Sequence, residues 1–328
     1  MANFPISSIP PGSQDLLADD VRRRRKVQAA WFALAEERGY AEVIPPTFEY
    51  EEVFTLGAGP DLSSRLVRFV DRDGRLVALR ADFTSSIARV AASRLASAPL
   101  PLRLSYAGKV YRQEPDGGGR SRELFQLGAE LIGAPSVDAD LEVLRLVLDL
   151  VRCLRIRDFQ INLGEVGFVR PLLHGLPADA AAHIRGAIDR KDRAELATAV
   201  ERWSLPRAEG LALAELPELI GRGEMLRRAG DLAVGAEAQG AIERLRRIDD
   251  ALNEEERRHI VYDLGEIRGL GYYTGMQFEL FVAGVGRAVG YGGRYDSLLA
   301  LYGADRPAVG FALETDVLAD LLAEGEAV

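Results

Sequence analysis

Hydrophobic and polar positions alternate with two different periods along this chain, and the switches between them outline its elements. Over residues 15–38, Val27, Ala30, Trp31, Leu34 and Ala35 recur at helical spacing and Gly39 follows, which predicts an amphipathic helix with a glycine stop. Residues 41–44 read as a short strand that Pro45 and Pro46 bring to an end, so it is expected at an edge or interface. Residues 69–80 read as a hairpin turning at Asp73 and Gly74, with a helix after it from near Ser85 through Ile87, Val90 and Leu95. A second hairpin is predicted over 105–133, with a β-rich first arm ending at Tyr111 and Arg112. In its second arm Phe125, Leu127, Ala129 and Leu131 share the side expected to be core, while Leu124, Gln126, Gly128, Glu130 and Ile132 share the other.

A helix over 137–154 and a strand over 159–163 follow. The texture then changes: from 170 to about 252, alanine, leucine, arginine and glutamate dominate, broken at Pro177, Pro206, Pro217 and Gly221 to Gly223. This predicts several short helices and no strands. Strand texture returns at Ile260, with alternation over 277–282. Gly290, Gly292 and Gly293 suit either close backbone approach or tight turns.

Composition narrows the classes. The 328 residues are 48% hydrophobic, enough for two domains or one large one. No apolar run approaches the ~20 residues that span a bilayer, and the N-terminal stretch lacks the basic start and apolar core of a secretory signal, so a soluble, cytoplasmic protein without membrane contact is expected. The lone Cys153 sits in apolar helical sequence and is expected to be a buried thiol. His174, His183 and His259 lack metal-ligand spacing, so no structural metal and no cofactor are expected. A net charge of −9 argues against broad nucleic-acid binding. The five consecutive cations Arg22 to Lys26 spread round more than a helical turn, which suits a solvated or partner-facing surface better than a nucleic-acid stripe.

Candidate chemistry concentrates in the 105–133 hairpin. Gln126 and Glu130 lie four strand residues apart, roughly 13 Å, so that a small polar molecule would fit across Gly128. An ordinary solvent-facing strand shows the same alternation. Arg112, Glu114, Arg120 and Arg122 flank Asp116 and three glycines, a loop suited to bringing cations over an anion. Arg80, Asp82 and Thr84 share one face of an extended chain, where Asp82 and Thr84 suit an ammonium group; one of them capping the next helix is the alternative.

Four segments in order are LRADFT (79–84), YR-E with R-E-x-F-Q-x-G-x-E (111–130), RGLGYYTG (268–275), and GGRYDSL with AVGFAL (292–298 and 308–313). Together they resemble the catalytic core of histidyl-tRNA synthetases. The resemblance implies an α+β fold of the class II aminoacyl-tRNA synthetase type, a mixed, mainly antiparallel sheet flanked by helices. Its core would span 1–169 and 259–328, with a helical insertion at 170–258 and dimerisation through 44–49. It implies a histidine pocket in which Asp82, Thr84 and Gln126 hold the α-amine and Arg268 the carboxylate. Glu130 with Tyr273, beside Tyr272, would contact the imidazole. Arg112, Glu114 and Arg122 would mark a vestigial nucleotide site.

The departures from the synthetase pattern redirect the function. Glu314 stands where the family's last motif has its second glycine, Val317 where it has its arginine, and Gly271 replaces an acid. Asp82 is shorter than the family's usual glutamate, and about ten residues follow the last motif, leaving no room here for an anticodon-binding domain. In these respects the chain resembles the regulatory subunits of ATP phosphoribosyltransferase. The implied role is non-catalytic: a homodimer within a hetero-oligomer, supporting a short-form catalytic subunit in the first step of histidine biosynthesis and responding to L-histidine as feedback effector, with no tRNA bound. Two other classes are a minimal histidyl-adenylate-forming enzyme and a tRNA- or RNA-sensing module using Arg22 to Lys26.

Overall fold

The structure, a computed structural model, describes residues 8–57, 59–113, 121–267 and 271–325. Its strands are β1 (Ala41–Glu42), β2 (Phe48–Tyr50), β3 (Arg68–Val70), β4 (Leu76–Leu79), β5 (Leu102–Tyr111), β6 (Glu123–Ile132), β7 (Phe159–Glu165), β8 (Ile220–Gly221), β9 (Ile260–Asp263), β10 (Met276–Val282), β11 (Gly290–Arg294) and β12 (Ala308–Glu314). Nine of them form one sheet in the order β1-β5-β6-β12-β11-β10-β7-β9-β8, and β2-β4-β3 form a small second sheet. Only the β1–β5 and β7–β9 pairs of the large sheet are parallel, so it is mixed and mainly antiparallel as the resemblance implies.

The alternation of β6 decides the layering. Leu127, Ala129 and Leu131 face a core shared with Trp31 and Leu34 of the helix Ala18–Glu37 and with the helix Val137–Cys153. Ile132, with Leu102, Leu104 and Tyr106 of β5, joins a second cluster under the helix Thr84–Ala92. Trp31 is fully buried, its indole N–H donates to the Tyr106 carbonyl at 3.1 Å, and its ring meets Phe311 edge-on. Both faces of the strand are therefore covered from Gln126 onward, which an alternating sequence does not reveal.

The first helix begins at Ala18, three residues later than its pattern suggests, because Asp20 reaches back to the Leu17 amide at 3.0 Å. Gly39, at φ +75°, closes it. Its cations are largely neutralised: Arg22 pairs with Asp19, Arg23 with Asp20, and Arg24 with Asp316 while lying over the Phe125 ring. The first hairpin forms as expected, with Gly74 at φ +81° and the Arg75 amide donating to Asp73 at 3.0 Å. β1 lies at the edge of the large sheet, as the prolines after it imply.

Three expectations need correction. Residues 170–258 are helical except for β8, whose two residues pair antiparallel with Tyr262 and Asp263 of β9; a two-residue strand is too short to leave an alternating signal. The helix Gly235–Ala251 in that region is long, and its Ala241, Ile242 and Leu245 join the same hydrophobic core as Ile161 and Leu163 of β7. Cys153 is exposed, at the last position of the helix Val137–Cys153, where the apolar helical pattern no longer guarantees burial. Among the described residues no helix is long and apolar enough to cross a membrane.

Candidate functional site

A cavity of about 140 Å³ opens where β6 and β12 meet the start of the helix Thr84–Ala92. Asp82, Thr84, Arg112, Gln126, Tyr272 and Tyr273 line it, joined by Tyr291, Tyr295 and Glu314 from the β11–β12 side. Segments far apart in sequence converge here because β12 pairs with β6 in a register that sets Gly310 opposite Glu130 and Glu314 opposite Gln126. Glycine is required at that crossing. A Cβ on Gly310 would fall on the Glu130 carboxylate, and one on Gly128 would come within 2.1 Å of the Phe311 carbonyl oxygen.

The polar groups divide into satisfied and waiting. Asp82 accepts from the Ser85 amide at 2.8 Å and the Ser85 hydroxyl at 3.2 Å, so it does tie down the first turn of the helix, and it also lines the cavity. Burial raises its pKa, and the Ser85 hydrogen bonds and Arg112 oppose that rise. Gln126 is only 7% exposed, and its Oε1 is a buried acceptor with no partner among the described residues. The Arg112 side chain makes one hydrogen bond among the described residues, from Nε to the Ala81 carbonyl at 2.9 Å, and no ion pair with them. Burial lowers its pKa while Asp82 favours its charge. Among the described residues, an acceptor without a hydrogen bond and a guanidinium without an ion pair lie across one small cavity, which suits a ligand carrying both an ammonium and a carboxylate.

Glu130 lies behind this lining and is 1% exposed. Thr84 donates to its Oε1 at 2.8 Å, Tyr106 donates at 3.1 Å, and the Tyr295 hydroxyl donates to Oε2. Burial pushes its pKa up to about 7 against the lowering effect of these hydroxyls. The Tyr272 and Tyr273 phenols, also raised by burial, stay protonated.

Five of the expected pocket residues, Asp82, Thr84, Gln126, Tyr272 and Tyr273, thus share one cavity with Arg112, and Glu130 borders it through Thr84 and Tyr295. The seat imagined across Gly128 is filled by the Tyr106 phenol, whose oxygen would lie 2.5 Å from a Cβ there. Arg122 is exposed beside Gly12 and does not line the cavity. Glu114 and Arg268 lie outside the described residues. Sequence reasoning missed Tyr106 and Tyr295. Only the register of the β5–β6 hairpin, which sets Tyr106 opposite Gly128, would have pointed to the first. Glu314, also on the lining, is held by both terminal nitrogens of Arg287 at 2.7 and 2.6 Å, and Val317 packs against the apolar core.

Comparison with known proteins bears on the family and the fold. A family model described as histidyl-tRNA synthetase matches residues 12–318. The ATP phosphoribosyltransferase regulatory subunit of Syntrophotalea carbinolica is 38% identical over 94% of this chain and 73% of its own length. That of Geobacter sulfurreducens is 39% identical over 97% of this chain and 74% of its own. A crystal structure described as an ATP phosphoribosyltransferase regulatory subunit/histidyl-tRNA synthetase, from Bacillus halodurans, superposes with a TM-score of 0.90 at 28% identity, covering 98% of this chain and 84% of that one. The chain belongs to the histidyl-tRNA synthetase family and, within it, to the ATP phosphoribosyltransferase regulatory subunits.

Proposed function

We propose that this chain is the non-catalytic regulatory subunit of an ATP phosphoribosyltransferase, acting with a separate short-form catalytic subunit in the first step of histidine biosynthesis. Its cavity binds L-histidine as an effector. The observation that carries the reading is the buried Gln126 Oε1, without a partner among the described residues, on a cavity that Asp82 and Arg112 also line. The ligand's ammonium meets Gln126, Asp82 and Thr84, its carboxylate meets a guanidinium, and its ring lies toward Tyr273 and Glu130. Glu314, locked to Arg287, and the apolar Val317 supply no cation for nucleotide phosphates, which supports a non-catalytic role.

A dimer is part of the proposal. Phe48, Tyr50 and Phe69 sit half-exposed on one face of the β2-β4-β3 sheet, and Ile44 is 81% exposed at its approach. Such an apolar surface suits a second copy of the chain. Coupling between the histidine cavity and an active site on another chain is expected to amount to about 1–3 kcal/mol. The test is to mix the chain with a short-form catalytic subunit and measure phosphoribosyl-ATP formation with and without histidine. No stimulation of the catalytic subunit would remove the regulatory reading, and pyrophosphate exchange by the chain alone would favour a histidyl-adenylate former instead.

A further inference from the structure

Glu130 is a buried carboxyl group, and among the described residues its hydrogen-bond partners carry no positive charge; Arg112, the described guanidinium on the same cavity, makes no hydrogen bond or ion pair with it. The Glu130 partners among the described residues are three hydroxyls, from Thr84, Tyr106 and Tyr295. The titratable groups that face it from the surrounding elements are Asp82 ahead of the helix Thr84–Ala92, Tyr106 on β5, Tyr272 and Tyr273 ahead of β10, Tyr295 after β11, and Tyr40 ahead of β1. All are acids or phenols. Among the described residues, an ionised carboxylate at this place has no cation in contact with it.

The hydrogens around Tyr106 give the same answer independently. Its hydroxyl oxygen lies 3.1 Å from Glu130 Oε1 and 3.1 Å from the Phe311 carbonyl oxygen. A phenol has a single hydrogen, and if Glu130 is ionised both neighbours are acceptors, so one contact goes unmade. If Glu130 carries a proton, its O–H donates to the Tyr106 oxygen and Tyr106 donates to Phe311, and both contacts are satisfied. Burial also pushes the carboxyl up to about 7.

We propose that Glu130 holds a proton in the unliganded protein and releases it to solvent when a ligand presents a ring N–H, so that filling the cavity is linked to proton release. This rests on the histidine reading given above. A neutral imidazole has one lone pair and one N–H. The Tyr273 phenol, kept protonated by burial, donates to the lone pair, which turns the ring N–H toward Glu130. The ionised carboxylate accepts that N–H more strongly than the neutral acid does, so ligand binding favours ionisation of Glu130. The O–H bond of its carboxyl breaks, the proton leaves, and the carboxylate takes the ring hydrogen bond.

The test titrates L-histidine calorimetrically into the full chain and into E130Q at about pH 7, in phosphate and in Tris, whose different ionisation heats report protons exchanged. The wild type is expected to release about half a proton more than E130Q. Equal proton counts, or net uptake relative to E130Q, would overturn the proposal. Infrared difference spectra of the unliganded protein give a second readout that needs no ligand. A protonated-carboxyl band titrating near neutrality is expected, lost in E130Q and moved to higher pH in Y295F, which lacks a hydrogen bond that favours the ionised form. Absence of that band also overturns the proposal. If the band titrates but histidine does not bind, the histidine reading fails and the linkage falls with it.

Discussion

Tyr106 stands opposite Gly128 in the β5–β6 ladder, and its hydroxyl reaches past that glycine to Glu130 at 3.1 Å. The phenol is fully buried and stacked on Phe83 at 4.3 Å, so the space that a side chain at 128 would take is already filled. The floor of the site is thus a packed hydroxyl cluster, and the ligand-sized opening lies beside it.

Gly128→Ala is expected to destabilise the chain by about 1–3 kcal/mol, since the new methyl meets the Phe311 backbone as well as Tyr106. Urea unfolding monitored by circular dichroism reads this directly. An unchanged midpoint would mean that the β6–β12 contact is looser than described.

Gln126→Ala removes the waiting acceptor without breaking an existing bond of that oxygen. Histidine affinity is expected to fall on the order of tenfold, and stability to change little, because a charge-assisted hydrogen bond is worth about 1.5–3 kcal/mol. Calorimetric titration giving wild-type affinity would remove Gln126 from the pocket.

Stability should depend on pH through Glu130. Its folded value, about 7, exceeds its ordinary 4.5, so the folded chain binds more protons between those limits. The stabilisation is complete below the ordinary value and is lost as pH rises through about 7. Relative to E130Q, the wild type should lose on the order of 3 kcal/mol across that window, from 1.36 kcal/mol per unit. Parallel curves for the two proteins would contradict the burial argument.

Arg294 holds the cavity from outside. It is 5% exposed and binds Asp140 at 2.6 Å and the carbonyls of Ala134 and Ser136, just before Tyr295 turns toward Glu130. Asp140→Asn removes the carboxylate charge closest to this buried guanidinium, which keeps Asp296 at 3.0 Å and the two carbonyls, and is expected to cost about 1–3 kcal/mol. A thermal unfolding midpoint within error of the wild type would count against it.

How far the sequence could be read follows from what each signal encodes. Periodicity and turn residues carried the helix Ala18–Glu37, the two hairpins and β10. It could not carry β8, whose two residues are fixed by pairing with β9, or the double burial of β6, which depends on what the helix Thr84–Ala92 covers. Asp82, Thr84, Gln126, Tyr272 and Tyr273 were legible through ordered motifs and share a cavity. Tyr106 and Tyr295 were not, since their roles arise from ladder register and from a turn after β11. Arg122 was misplaced because proximity to Arg112 along the hairpin is no guide to which way a side chain points; their backbones pair, and Arg122 turns outward to Gly12.

The central claim is that an amino-acid cavity on this chain governs an active site carried by another. It is tested most directly by phosphoribosyl-ATP formation from a short-form catalytic subunit mixed with this chain or with its Q126A variant, across a histidine titration. Both proteins are expected to stimulate the catalytic subunit, histidine to inhibit the wild-type mixture, and inhibition of the Q126A mixture to need about tenfold more histidine. Identical inhibition curves for the two mixtures, or no stimulation by either, would contradict it.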